Sequence, residues 1–295
     1  MRVLAKCVIL ACGISAVCWA ARCTTVASPA ILREYDTYVA AAEQTMESRF
    51  DSGELAWAPA EKSKQAAARL ASGLMVRGNV SPAALNQRLA GQNGTVLDWI
   101  GAILIQGANV ADVKSVLEDY DHYARIYQPM IFECKAVRNG DDPQAAYDVI
   151  LGLHNEFRLA ALFRLHYSFR AKTRMDYSSG STLRVHLGAT EIRESDSGVP
   201  GRADFLEPHH DHGIMWALNA YWRARQHGKD VYLEFETITL ARSVQEFVCK
   251  IGFAPVPKSI VAAAMDFLPP DCITVILEGT RAECERKALL NVSGR

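Results

Sequence analysis

The sequence predicts an α+β protein: an antiparallel sheet curled around a long C-terminal helix, with an extra helical segment before it. Three observations carry this. Between residues 145 and 240 apolar and polar side chains alternate, as in Leu159, Ala161, Phe163, Leu165, Tyr167 and Phe169, with Arg164, His166, Ser168 and Arg170 interleaved. Successive strand residues point to opposite faces, so this pattern writes one dry face and one wet face. An apolar segment of helical character follows residue 243 and supplies a cover for the dry face. Near the N-terminus, Leu32, Tyr35, Tyr38, Val39, Ala42, Met46 and Phe50 recur at helical spacing, opposite Glu34, Asp36, Glu43 and Glu47.

Taken in order, the chain opens with Arg2 and Lys6 before an apolar stretch, residues 7–21, and small residues at Ala20, Ala21 and Ala27. This is a secretory signal pattern over residues 1–22, and its apolar stretch of 15 residues is shorter than the roughly 20 that span a bilayer. An uncleaved N-terminal anchor is the rival reading. A protein exported to the periplasm or secreted follows from the first, with membrane contact no more than transient. Residues 28–94 form a helical extension, and its middle, around Leu74, Met75 and Val76, is briefly extended before loops. A buried strand spans Val96 to Ile105. Asn109 and Asp112 then make a capping box for a helix that Pro129 closes.

Strands are expected at about 131–138, 145–155, 159–176, 181–194, 212–225 and 230–241, with turns at Asn139-Gly140-Asp141 and His227-Gly228-Lys229. Residues 195–210 form a long loop. The terminal helix is expected to break at Pro269-Pro270 and restart with Ile273, Ile276, Leu277, Thr280 and Cys284 on its apolar side.

Composition narrows the function. With 49% hydrophobic residues, 22% charged residues and a net charge of -1, the chain is ordinary for a globular protein and offers no basic field for nucleic acid. Cys7, Cys12, Cys18 and Cys23 lie in or beside the signal, while Cys134, Cys249, Cys272 and Cys284 are widely spaced without a Cys-x-x-Cys pair. Buried thiols are expected, with one disulfide as the alternative in an exported protein. His209-His210-Asp211-His212 contains metal-ligand side chains, but neighbours in a loop do not readily converge on one ion. His122, His154, His166 and His186 read as surface. Gly-x-Ser-x-Gly, Gly-x-Gly-x-x-Gly and the P-loop pattern are missing, so no cofactor is expected.

The stretch Asn109-Val110-Ala111-Asp112-Val113-Lys114-Ser115-Val116-Leu117-Glu118-Asp119-Tyr120-Asp121-His122-Tyr123 resembles the opening helix of the START/polyketide-cyclase (SRPBCC) superfamily. Asp211-His212-Gly213 through Leu218-Asn219-Ala220-Tyr221-Trp222-Arg223 is similar to the penultimate strand of its exported bacterial members, and Val231 to Arg242 to their last strand. The likeness covers residues 95–290. It implies a helix-grip fold with a pocket between sheet and helix for a hydrophobic or amphiphilic, lipid-like small molecule. Members of that superfamily carry lipids, sterols or polyketides, and a minority catalyse cyclisation or hydrolysis.

Within such a pocket, a hairpin turning at His227-Gly228 sets Trp222 opposite Leu233, Ala220 opposite Phe235 and Leu218 opposite Thr237. Phe163, Leu165, Phe169, Trp216, Leu218, Trp222, Leu233 and Phe235 are then the candidate cavity lining, or else a filled core. On the other face Asn219, Tyr221, Arg223, Glu234 and Glu236 form either a polar anchor inside the cavity or a solvated sheet surface. Carriage of a ligand is the expected function. The alternatives are a cyclase or hydrolase using Tyr221, Arg223 and Glu234 as acid/base groups, and a scaffold with a closed core. The loop 195–210 and the terminal helix are the expected gate.

Overall fold

A computed structural model describes residues 26–52, 60–139, 146–159, 163–179, 182–195, 204–207, 215–242 and 258–293. The signal segment, Cys249, His209, His210, His212 and most of the loop 195–210 lie outside the described residues.

Eight strands form one antiparallel sheet: β1 (Val76–Asn79), β2 (Gly94–Ile105), β3 (Ile131–Arg138), β4 (Tyr147–Leu159), β5 (Phe163–Ser179), β6 (Thr182–Glu194), β7 (Met215–His227) and β8 (Asp230–Arg242). Their order is β1-β2-β8-β7-β6-β5-β4-β3. The last strand therefore lies between β2 and β7, which brings the start of the fold beside its end. The helices are α1 (Pro29–Ser52), α2 (Ala60–Ala71), α3 (Ala83–Ala90), α4 (Val110–Leu117), α5 (Tyr123–Ile126) and α6 (Lys258–Ser293), with a 3-10 turn at Tyr120–His122. This is the predicted helix-grip α+β arrangement. No helix among the described residues is long and apolar enough to cross a membrane.

One face of the sheet closes on α4, α5 and α6. Val113, Val116 and Leu117 of α4, Tyr123 of α5, and Ile273, Ile276 and Leu277 of α6 join Val149, Leu183, Val185 and Leu233 in the main core. Two glycines let α6 approach. A Cβ on Gly101 would stand 2.3 Å from Ile273 Cγ2, and one on Gly279 would stand 2.6 Å from the Ile126 carbonyl oxygen. The Asn109/Asp112 capping box is present, with Asn109 Oδ1 accepting from the Asp112 N–H at 3.0 Å.

The local expectations need four corrections. The helix after Asn109 stops at Leu117 and resumes only as short turns, because Tyr120, Tyr123 and Tyr127 turn into the core beneath it. Leu159 ends β4 and pairs with Phe163, so a hairpin divides what reads in sequence as one strand. The stretch read as loops contains α3, whose Leu85 and Leu89 pack under α1. Finally, α6 runs from Lys258 to Ser293 without a break at Pro269-Pro270. Each proline removes one backbone donor, but the apolar seat on the sheet sustains the helix beyond them.

Candidate functional site

The β7–β8 hairpin positions most of the candidate residues. Its two-residue turn is Gly228-Lys229, between His227 and Asp230, with Gly228 at φ 63°. A left-handed residue at the turn favours glycine, which places the reversal one residue later than the sequence reading does. The register moves by two: Trp222 faces Phe235, Ala220 faces Thr237, Leu218 faces Thr239 and Arg223 faces Glu234. A shift of two preserves the faces, so the division into an apolar and a polar set survives.

Phe169, Trp222, Leu233 and Phe235 lie in the core on the α6 face, with Leu218 packed at its margin. Trp222 and Phe235 are in ring contact at 4.7 Å between centroids. Trp216 is not with them. The pairing slips between Met215 and Ala217, and this bulge turns Trp216 to the α1 side while Met215 and Leu218 stay on the α6 side. The side chains of Phe163 and Leu165 lie outside the described residues.

The α6 face also holds residues that the sequence reading did not single out. Trp99 of β2 pairs with Thr237, and Leu97 with Thr239. Both threonines are buried, as are Trp99, at 8% exposure, and Trp222, at 4%. The indole Nε1 of each tryptophan is buried without a hydrogen-bond partner among the described residues. Such a donor costs about 1–3 kcal/mol when left unmade.

The polar set occupies neither of its expected environments. Glu234 is 1% exposed and Glu236 2% exposed, so the face is not solvated, and it points away from α6. It lies beneath α1. Arg49 Nη2 of α1 donates to Glu234 Oε1 at 2.8 Å and also to Glu236 Oε2. Tyr38 Oη donates to Asp98 Oδ2 at 2.6 Å, and Tyr35 Oη to the Ile238 carbonyl at 2.9 Å. Asn219 Nδ2 donates to Tyr35 Oη, Tyr221 Oη to Glu43, and Arg223 Nε to Glu47 Oε1 at 3.3 Å. Glu43 and Glu47, assigned from periodicity to the outer side of α1, are half-buried at its margin and reach side chains of the sheet. His186, read as surface, is half-buried, stacks on Tyr221 at 4.7 Å, and lies 2.9 Å from Asn219 Oδ1.

Burial governs the titration of this layer. It drives the Tyr35, Tyr38 and Tyr221 hydroxyls well above the ordinary phenol range, so they act as neutral donors. It also raises the carboxyls of Asp98 and Glu236. The missed residues here are Tyr38, Arg49 and Asp98. Asp98 left a signal: it is a lone carboxylate inside an apolar strand, and a buried charge requires a partner. Tyr221, Arg223 and Glu234, the candidate acid/base groups, lie on the sheet face that α1 covers and not with the apolar set on the α6 side.

Among the described residues no group of three metal-ligating side chains converges. Cys134, Cys272 and Cys284 are free thiols.

No family model and no curated protein matches the sequence. Among solved structures, the chain is similar to the Zhui aromatase/cyclase of a Streptomyces species, at 16% identity and TM-score 0.40 over 65% of this chain and 96% of that one. A STAR-related lipid transfer protein of Xanthomonas axonopodis gives 12% identity and TM-score 0.38, over 71% and 98%. Human STARD10 gives 9% and 0.37, over 73% and 86%. Likeness at this level says nothing about chemistry.

Proposed function

We propose that the chain binds a hydrophobic or amphiphilic, lipid-like small molecule between the sheet and α6, and that it does so outside the cytoplasm. The observation that carries the reading is the pair of indole N–H groups, Trp99 and Trp222, without a partner among the described residues, on a face that is apolar apart from Thr237 and Thr239. Two buried donors without acceptors are a standing cost that a ligand with an acceptor oxygen relieves. Its hydrocarbon part gains about 25 cal/mol for each Å² taken out of water against Leu218, Phe235 and their neighbours. The ligand is therefore a molecule with a carbonyl, ester or ether oxygen on an apolar body. The signal pattern of residues 1–22 supports the location.

Native mass spectrometry of the purified chain tests this. The expected spectrum contains a non-covalent adduct that organic extraction removes and that an added fatty acyl ester restores. Trp99→Phe and Trp222→Phe each remove one donor and keep the ring, so each weakens binding of that ester by about fivefold, equivalent to roughly 1 kcal/mol. A chain that is empty and takes up no fatty acid, sterol or lysophospholipid would falsify the reading.

A further inference from the structure

Asp98 on β2 and Glu236 on β8 are diagonal neighbours on the α1 face, since Asp98 pairs with Ile238 and Glu236 with Ile100. Glu234 stands two residues along β8 on the same face. Among the described residues three carboxyls are therefore buried beneath α1, and Arg49 pairs directly with Glu234 and Glu236 and not with Asp98. The remaining donors are neutral: Tyr38 on Asp98 and Tyr232 on Glu234. Arg223, opposite Glu234, turns instead to Glu47 and Met46 of α1. Asp98 Oδ1 is buried with no donor among the described residues, and the strand pairing makes the Glu236 carboxyl its diagonal neighbour on the same buried face. Two carboxylates repel at such a contact, whereas a carboxylic acid and a carboxylate hold it through the proton between them.

We propose that this shared proton seats α1 on the sheet, making α1 a strap that loosens as pH rises. The other titratable groups around the pair do not supply the switch. From α1, Tyr35, Tyr38 and Arg49 keep their protons at high pH, and Glu43 receives Tyr221 from β7. Burial raises Glu47, but Arg184 and Arg223 outweigh it and hold that carboxyl below its ordinary range. From β8, Tyr232 stays protonated through burial and the charge of Glu234. His186 of β6 is directed at Tyr221 and Asn219.

The sign follows from where the proton is held. Burial, with the Asp98 and Glu234 charges, raises Glu236 to about 8 against the pull of Arg49. A released α1 returns both carboxyls to water and to the ordinary carboxylate range. Between about pH 6, below which burial keeps a proton on Asp98 as well, and about pH 8 the seated form holds one more proton. Seating is therefore strongest on the acid side and weakens by about tenfold per pH unit through this window. β8 carries Glu234 and Glu236 on one face and Leu233 and Phe235 on the other, so the strap and the proposed ligand face share a strand.

Hydrogen exchange of the full chain at about pH 6, 7 and 8, corrected for intrinsic rates, tests the strap with β8 amides as the internal reference. The expected result is an α1 protection that falls by about tenfold per pH unit relative to β8, and that Glu236→Gln makes independent of pH. Protection of α1 that is constant, or that changes in parallel with β8, overturns the proposal. So does a slope that persists in Glu236→Gln. If that variant does not accumulate as folded protein, Asp98→Asn gives a graded comparison: its amide donates to Glu236 and the slope becomes shallower, burial alone still raising that carboxyl, and an unchanged slope overturns the proposal.

Discussion

Beneath α6 the sheet presents Leu183, Val185, Ala224, Leu233 and Phe235, and beneath α1 the same strands present Arg184, Arg223, Glu234 and Glu236. Both surfaces are largely buried, yet the balance of forces that closes them differs. The α6 side is held by non-directional apolar burial, which tolerates an exchange of neighbours, including a guest molecule. The α1 side adds to apolar contacts of Ile31, Met46, Ile238 and Leu240 a layer of directed bonds such as those of Arg49 and Tyr38, where the gain depends on each donor finding its acceptor. One sheet thus has a side able to accept a ligand and a side able to recognise a single helix in a single register.

The largest test of this contrast removes Arg49. Arg49→Ala leaves Glu234 and Glu236 buried without their cation, and urea denaturation should show a loss of about 3–5 kcal/mol. Replacing Arg49, Glu234 and Glu236 together by Met, Leu and Leu should restore most of that loss, since an apolar substitute avoids the desolvation of charge. A triple variant as weak as Arg49→Ala alone would mean that the layer contributes more than its own neutralisation.

On the α6 side the matching test is steric. Gly101→Ala places a methyl against Ile273 and Leu277, and α6 must shift to admit it. The expected cost is about 1–3 kcal/mol in the same denaturation, together with altered uptake of the acyl ester in native mass spectra. An unchanged midpoint would show that α6 is not tightly seated at β2.

The smallest effect concerns acid. Hydrogen bonds from Arg286 and then Arg125 hold the Glu283 carboxyl down to about 2, against the opposing effect of burial. A depressed carboxyl contributes above its ordinary range and loses that contribution as pH falls from about 4.5 to about 2. The partner arginines are half-exposed, so Glu283→Gln should cost about 1 kcal/mol near neutrality and flatten the acid limb. The two faces then have opposite pH dependence: acid loosens the α6 flank, and alkali loosens the α1 seat.

Several parts of this architecture were legible in the chain. Alternation separated Leu233 and Phe235 from Glu234 and Glu236, the Asn109/Asp112 pair marked a real helix start, and Gly228 marked a real reversal. The two-residue register shift was not legible, because alternation has period two and is blind to it. Neither was the bulge that turns Trp216, since a bulge is settled by pairing with β8 rather than by residue type. Short α3 carries only Leu85 and Leu89 as a signal. The polar strand positions looked solvent-facing because a charged side chain carries no mark of what will cover it.

Local sequence alone determined which residues share a face, where chains turn and which helix is capped, because these depend on neighbours a few positions apart. What lies over each face was decided only in three dimensions. Arg49 meets Glu234 and Glu236 across more than 180 residues of chain. No short-range pattern encodes that meeting, since its energy exists only once both partners have left water together.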